Sequence, residues 1–107
     1  MMRATILLAG IVSIAPALAQ TNWPPHGFVP DAGTAIAIAR AVLIPIYGAA
    51  QVRAEEPLVA QRSGENWDVS GTFHCPGSPK STDCVGGVAS VLLASKDGRI
   101  IAVTHTK

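Results

Sequence analysis

Apolar residues between Val29 and Gly48 recur at three- and four-residue intervals, which is the period of an amphipathic α-helix. The apolar stripe comprises Ala35, Ile36, Ile38, Ala39, Val42, Leu43 and Ile46, and the polar side has only Thr34 and Arg40. Asp31 is a suitable N-cap, because its carboxylate can accept hydrogen bonds from the free N–H groups of the first turn. A helix of about four turns is marginal alone in water, so it needs a surface on which to pack.

Pro45 marks the C-terminal end of this helix. Proline lacks a backbone N–H and disfavours helical geometry at the preceding residue, so we expect the regular helix to end near Ile44. Gly48 then suits a left-handed exit. Residues 49–53 are expected to form a short strand or a loop, which leaves a single helix after the N-terminal region.

Beyond residue 55 the pattern changes to the two-residue period of β-strands. Residues 67–73 alternate most clearly, with Trp67, Val69, Gly71 and Phe73 on one face. Further strands are predicted at 56–62, with Pro57 at a sheet edge, at about 86–95 and at 100–106. Turn signals at 63–66 and 96–99 join neighbouring strands. The predicted class is α+β, with one N-terminal helix packed on a three- to four-stranded antiparallel meander sheet.

The N-terminal residues have the three parts of a secretory signal peptide. A short positive start is followed by apolar residues 4–14, and residues 16–19 end in a small-x-small cleavage pattern. The alternative is a membrane anchor, for which the apolar run is too short. The predicted organisation is a signal peptide at 1–19, an irregular leading segment at 20–28 and one domain at 29–107. The mature protein is expected to be periplasmic or secreted.

Charge and cysteine content narrow the classes of partner and compartment. The chain has eight Lys and Arg and seven Asp and Glu, and loss of the signal peptide would remove Arg3 and leave no net charge. A neutral surface does not favour nucleic acid or anionic lipid as a partner. Cys75 and Cys84 enclose a loop rich in Pro, Gly and Ser, which in an oxidising compartment predicts a disulfide. Closing this loop would contribute about 2.5–3 kcal/mol.

Candidate catalytic and metal-binding groups are sparse in the sequence. The histidines are His26, His74 and His105, and no spacing pairs two carboxylates or forms a Gly-x-Ser-x-Gly motif. A zinc set of His74, Cys75, Cys84 and His105 lacks the Cys-x-x-Cys or His-x-x-x-His spacing of a dedicated site. We therefore expect no enzymatic activity, no cofactor and no metal site.

Two sets of residues are candidates for binding. A pocket between helix and sheet would be lined by Tyr47 and His105, with Trp67 and Phe73, although Trp67 also fits a core position. A second set follows from the strand register. If Ala89, Val91, Leu93, Ile101 and Val103 face the helix, the opposite face carries Leu92, Ala94, Ile100 and Ala102. This apolar outer face, represented by Leu92, Ile100 and Ala102, suggests a partner-binding face or a homodimer contact.

Several segments recur together, in order and at compatible spacing, over about residues 28–107. They are Val29-Pro30-Asp31, 34–39 (TAIAIA), 44–48 (IPIYG), 67–72 (WDVSGT), 86–89 (GGVA), 96–100 (KDGRI) and 101–105 (IAVTH). As a set they resemble the bacterial nuclear transport factor 2 fold immunity family. The resemblance implies a small α+β domain, cystatin-like or a partial nuclear-transport-factor-2-like cone, that neutralises a partner toxin by binding it. It implies no catalytic residues.

Three functions remain as hypotheses at this point. The first is an exported binding protein that neutralises a bacterial toxin, which the signal peptide would place outside the cytoplasm. The second is a small-ligand-binding or enzymatic cone-type domain with a pocket between helix and sheet. The third is a self-associating structural protein that uses the Leu92 and Ile100 face.

Overall fold

The computed structural model describes residues 23–75 and 86–106. Its elements are the helices α1 (Ala32–Tyr47) and α2 (Ala49–Ala54) and the strands β1 (Val59–Ser63), β2 (Asn66–Ser70), β3 (Ala89–Ala94) and β4 (Ile100–His105). The predicted α+β class, with a helix packed on an antiparallel sheet, is confirmed. The predicted signal peptide and Cys84 lie outside the described residues. Both the signal peptide and the Cys75–Cys84 disulfide therefore stay predictions.

Helix α1 begins at the predicted cap. The Asp31 carboxylate accepts hydrogen bonds from the Thr34 N–H at 2.7 Å and from the Thr34 hydroxyl at 2.8 Å. The backbone hydrogen bond, followed by the hydroxyl, lowers the pKa of Asp31 below its ordinary value. A short polar side chain thus satisfies one of the free donors of the first turn and fixes where the helix starts.

The expected end of α1 near Ile44 is wrong. The helix includes Pro45 and continues to Tyr47. A proline at this position removes the hydrogen bond to the carbonyl of residue 41, and residue 41 is exposed, so water can hydrate that carbonyl. The Gly48 N–H still donates to the Ile44 carbonyl at 2.8 Å, so the last turn closes around the proline.

Helix α2 replaces the strand or loop expected at residues 49–53. Gly48 separates it from α1 with φ 89° and ψ 150°, so its φ is positive as expected of an exit glycine, but its ψ is extended. The Val52 N–H donates to the Gly48 carbonyl at 3.1 Å, and the Val52 side chain is buried. Apart from Val52, residues 49–54 are good helix formers, which explains why a helix wins over a strand here.

The sheet is an antiparallel meander in the order β1-β2-β3-β4. The β1–β2 turn is a tight one at Gly64 and Glu65, between paired residues Ser63 and Asn66, and Gly64 has φ 60°. Strand β1 forms one edge, and Pro57 precedes it, as expected. The turn between β3 and β4 also lies at the predicted Asp-Gly pair, with Gly98 at φ 74°.

The core lies between α1 and one face of the sheet. The helix contributes Ala35, Ala39 and Leu43, and the sheet contributes Trp67, Val69, Ala89, Val91 and Leu93, all of them buried. The small alanines let the helix backbone approach the strands closely. Two residues that the pattern placed on the apolar faces lie outside the core. Ile46 is 54% exposed beyond the end of the buried stripe, and Phe73 is 44% exposed because β2 ends at Ser70.

The last two strands depart from the expected register. Val91 pairs with Val103 and Leu92 with Ala102, but an irregularity between Leu92 and Leu93 brings Ile100 opposite Leu93. Ile101 is 43% exposed rather than inward-facing. Strand β4 therefore has one extra residue at this point, and the side chains before it point to the opposite face from that expected. A strict two-residue alternation does not predict such a shift.

Candidate binding site

The predicted pocket residues do not come together as one set. Tyr47 and His105 do meet, with ring centroids 5.4 Å apart and planes tilted by 48°. Trp67 pairs with Leu93, near the end of β3, whereas His105 pairs with Ala89, at its start. Trp67 and His105 are therefore at opposite ends of β3. The Trp67 indole N–H donates to the Val29 carbonyl at 2.9 Å within the core, so Trp67 has a structural position.

The predicted outer face is only partly as expected. Leu92 and Ala102 are paired and half-buried on the side of the sheet that faces away from α1. Ile100 leaves this row, because it pairs with Leu93, and Ala94 is buried. Across the sheet, the same row continues with the exposed Asp68. A partner-binding role for Leu92, Ala102 and Ile100 stays a prediction.

Other polar side chains of the sheet and its flanks form hydrogen bonds of their own. The Ser70 and Ser90 hydroxyls lie 2.9 Å apart in a hydrogen bond across β2 and β3. His74 Nε2 lies 2.6 Å from the Glu56 carbonyl oxygen. Within residues 23–75 and 86–106, no three His, Cys, Asp or Glu side chains form a group that could hold a metal ion.

A different site is formed by the leading segment and two turns of the sheet. A cleft of about 810 Å³ is lined by Trp23, Pro25, His26, Arg62, Glu65 and Lys96, among others. We call it the aromatic–basic cleft. The β1–β2 and β3–β4 turns lie at the same end of the meander, and the leading segment passes beside both. Topology therefore explains why residues distant in sequence share this cleft.

The leading segment is fixed against the β3–β4 turn by backbone contacts. The Phe28 N–H donates to the Lys96 carbonyl at 2.9 Å, and the Val29 N–H donates to the Ser95 carbonyl at 3.0 Å. Gly27 has φ 82°, and a Cβ at this position would collide with the Ser95 carbonyl oxygen. Only glycine permits this approach, so the wall of the cleft depends on it.

The two basic side chains of the cleft each lie against an aromatic ring, and one of these rings, Trp23, also lines the cleft. The Trp23 and Phe28 rings are 4.9 Å apart, and Lys96 Nζ lies 5.7 Å from the Trp23 ring centroid. The Arg62 guanidinium lies 5.2 Å over the Trp67 ring, and its Nε donates to the Gly64 carbonyl at 3.0 Å. These are cation–π distances, at which a ring holds a cation without neutralising its charge.

Sequence reasoning did not identify Arg62, Glu65 and Lys96 as a site. The signal was present in the order of elements, because alternate turns of a meander lie at one end of the sheet. Sequence reasoning also missed Glu55, which is buried and only 6% exposed. Glu55 accepts hydrogen bonds from the Ala89 N–H at 2.7 Å and from Gln51 at 3.0 Å, and so ties the end of α2 to the start of β3.

A single α-helix over a meander sheet, with a second short helix at its end, defines a small α+β protein consistent with the nuclear transport factor 2 (NTF2) fold. The chain belongs to the family of NTF2 fold immunity proteins, whose family model matches residues 34–107. The suspected family is therefore confirmed. No curated protein and no solved structure shows a significant match to the chain. Neither helix in the described ranges is long and apolar enough to cross a membrane.

Proposed function

We propose that this immunity protein is exported and neutralises a toxin outside the cytoplasm by binding it directly. The observation that carries the proposal is the family match over residues 34–107, since immunity proteins imply a protein partner such as a toxin. The signal-peptide pattern at residues 1–19 supports the compartment. The exposed aromatic and basic side chains of the cleft supply a surface of the kind that binds proteins.

Protection of cells tests the function directly. The full-length gene is expressed together with each secreted protein encoded beside it, with that protein directed to the periplasm. We expect one of these proteins to be toxic alone and harmless with the immunity protein, and the two purified proteins to form a stoichiometric complex in calorimetry. A gene lacking codons 2–19 should fail to protect, because the two proteins would be in different compartments.

The exported protein itself tests the compartment and the disulfide. Intact mass should show loss of residues 1–19, and a further loss of two hydrogens that reduction restores. Protection by the form that lacks codons 2–19 would contradict the proposed site of action. Protection without any complex would contradict direct binding, and would favour the alternative in which the fold carries a small-ligand or enzymatic pocket.

A further inference from the structure

We infer that the aromatic–basic cleft binds an acidic segment of the toxin surface, in which carboxylates flank an apolar side chain. The identity of the partner rests on the proposed function, and the choice of segment rests on the chemistry of the cleft. The cleft offers two cations, the exposed ring of Trp23 and a fixed backbone wall. An acidic peptide segment with an apolar residue is complementary to all three.

The two cations of the cleft have charges that no carboxylate neutralises within the described residues. The ion pairs in this part of the chain are Arg40 with Glu56 and Arg99 with Asp97. Arg62 and Lys96 instead face the rings of Trp67 and Trp23. Arg62 donates a hydrogen bond only through Nε, so its two Nη groups keep donors for a carboxylate.

The apolar part of the cleft is exposed and already ordered. Trp23 lines the cleft and is 53% exposed, and its ring contacts the ring of Phe28, which is 45% exposed beside the cleft. Prolines 24, 25 and 30 restrict the segment that carries them, and the backbone bonds of Phe28 and Val29 fix it to the sheet. A ligand that inserts an apolar side chain between these groups would lose little entropy in ordering the protein.

Glu65 provides a control of opposite sign. It lines the same cleft, and its carboxylate makes no hydrogen bond or ion pair in the described part of the chain. An acidic ligand would be repelled by Glu65 and attracted by Arg62 and Lys96. Removing the charge of Glu65 should therefore strengthen binding, whereas removing either cation should weaken it. A cleft that binds only through apolar contact would respond to none of the three changes.

A peptide titration tests the cleft without the toxin. The probe is the acetylated and amidated peptide Gly-Asp-Glu-Phe-Glu-Asp-Gly, and its matched control replaces each acid by its amide. The protein is purified after export of the complete gene product. Addition of the acidic peptide should change the backbone amide chemical shifts of the leading segment and of both turns of the cleft. The effect should fall at high salt. Equal binding of the amide peptide or of free glutamate, shifts elsewhere, or no shifts at all would overturn the inference.

Variants then test the direction in which each charge changes the affinity for the acidic peptide. Arg62→Gln and Lys96→Gln should each raise the dissociation constant about three- to five-fold, and Glu65→Gln should lower it by a similar factor. Arg53→Gln, an exposed cation outside the cleft, is the matched control and should change nothing. An unchanged constant for the cleft variants, or weaker binding with Glu65→Gln, would contradict the assignment.

The same variants separate this inference from the proposed function. If the wild-type protein binds and neutralises a toxin, and the cleft variants do so equally well, the toxin binds elsewhere and only the cleft assignment fails. If the acidic peptide binds with the expected charge dependence but no neighbouring toxin is neutralised, the cleft assignment holds for acidic segments and the proposed function fails.

Discussion

At the scale of single residues, Glu55 and Gly71 show how closely the end of α2 fits the sheet. The Glu55 carboxylate receives the Ala89 N–H, and its backbone carbonyl receives the Thr72 N–H at 2.7 Å. Gly71 lies directly against the Glu55 side chain. A buried carboxylate is tolerated only while its hydrogen bonds are formed. A neighbouring group that displaces the carboxylate therefore destabilises the fold.

Gly71→Ala should therefore destabilise the protein. A Cβ on Gly71 would lie 2.6 Å from Glu55 Oε1 and 2.8 Å from Glu55 Cβ, and the resulting displacement should lower the free energy of unfolding by about 1–3 kcal/mol. The measurement is chemical denaturation of the purified protein.

Gly33→Ala is the matched control for this prediction. Gly33 lies in the first turn of α1, where a Cβ would have its nearest neighbour at 3.5 Å, Asp31 Oδ1. This change should raise the free energy of unfolding by about 0.4–1 kcal/mol, because alanine restricts the unfolded chain and favours the helix. Equal effects at the two glycines would contradict the described contact between Gly71 and Glu55.

At the scale of elements, α1 packs through a stripe narrower than its sequence suggests. Ala35, Ala39 and Leu43 form the buried centre, whereas Ile44 and Ile46 are exposed. Apolar residues therefore also occupy faces of α1 that remain exposed. Burial against the strands, rather than hydrophobicity along the segment, decides which residues stabilise the fold.

Leu43→Ala should have a large effect on stability, because Leu43 is 1% exposed and its loss leaves a cavity against the sheet. We expect a decrease of about 2–5 kcal/mol in the free energy of unfolding. Ile46→Ala removes an exposed side chain from the same helix and should change it by less than about 0.5 kcal/mol. Thermal and denaturant unfolding measure both variants. Comparable losses would mean that the last turn of α1 also packs on the core.

The sequence predicted the elements whose patterns are local and missed those that depend on contacts. The cap at Asp31, the alternation around Val69 and the Asp-Gly turn are set by neighbouring residues, and the structure contains all three. The passage of α1 through Pro45 depends on solvent access around residue 41, and the packing of α2 depends on the burial of Val52. Neither condition can be read from local sequence.

The candidate site was harder to predict than the fold for the same reason. Tyr47 and His105 were expected to line one pocket with Trp67 and Phe73, and only the rings of Tyr47 and His105 lie close together. Arg62 lies near the end of β1 and Lys96 in the β3–β4 turn, and each is an exposed residue that no local pattern marks as part of a site. Their proximity depends on the meander topology and on the path of the leading segment, so it became visible only with the arrangement of all elements.

At the scale of the whole molecule, an ion pair joins α1 to the chain that enters the sheet. Arg40 Nε donates to Glu56 Oε1 at 2.9 Å, and its Nη2 donates to Oε2 at 3.1 Å. These hydrogen bonds lower the pKa of the Glu56 carboxyl in the folded protein. Both side chains are about one-third exposed or more, so solvent screens the pair and its contribution is modest.

This pair should make stability depend on pH in a defined direction. Because the folded-state pKa of Glu56 is lowered, its contribution is fully present above the ordinary pKa of 4.5 and is lost as pH falls through the folded value. Wild type should therefore melt a few degrees above Glu56→Gln at neutral pH, and this difference should shrink at about pH 3.

Asp68→Asn removes the same charge from an exposed carboxylate without an ion pair in the described residues, and serves as the control. It should melt close to wild type at neutral pH. A gap between wild type and Glu56→Gln that is the same at acidic and neutral pH would show that the pair does not titrate as described.

The position of α1 ahead of every strand that it covers has a consequence for synthesis. Its apolar stripe leaves the ribosome before the sheet residues that bury it, which extend from Trp67 to Leu93. Nascent chains that stop before β3 should therefore remain open and sensitive to proteases. A chain that folds this late stays unfolded until most of it has been synthesised. A translocation channel accepts only an unfolded polypeptide.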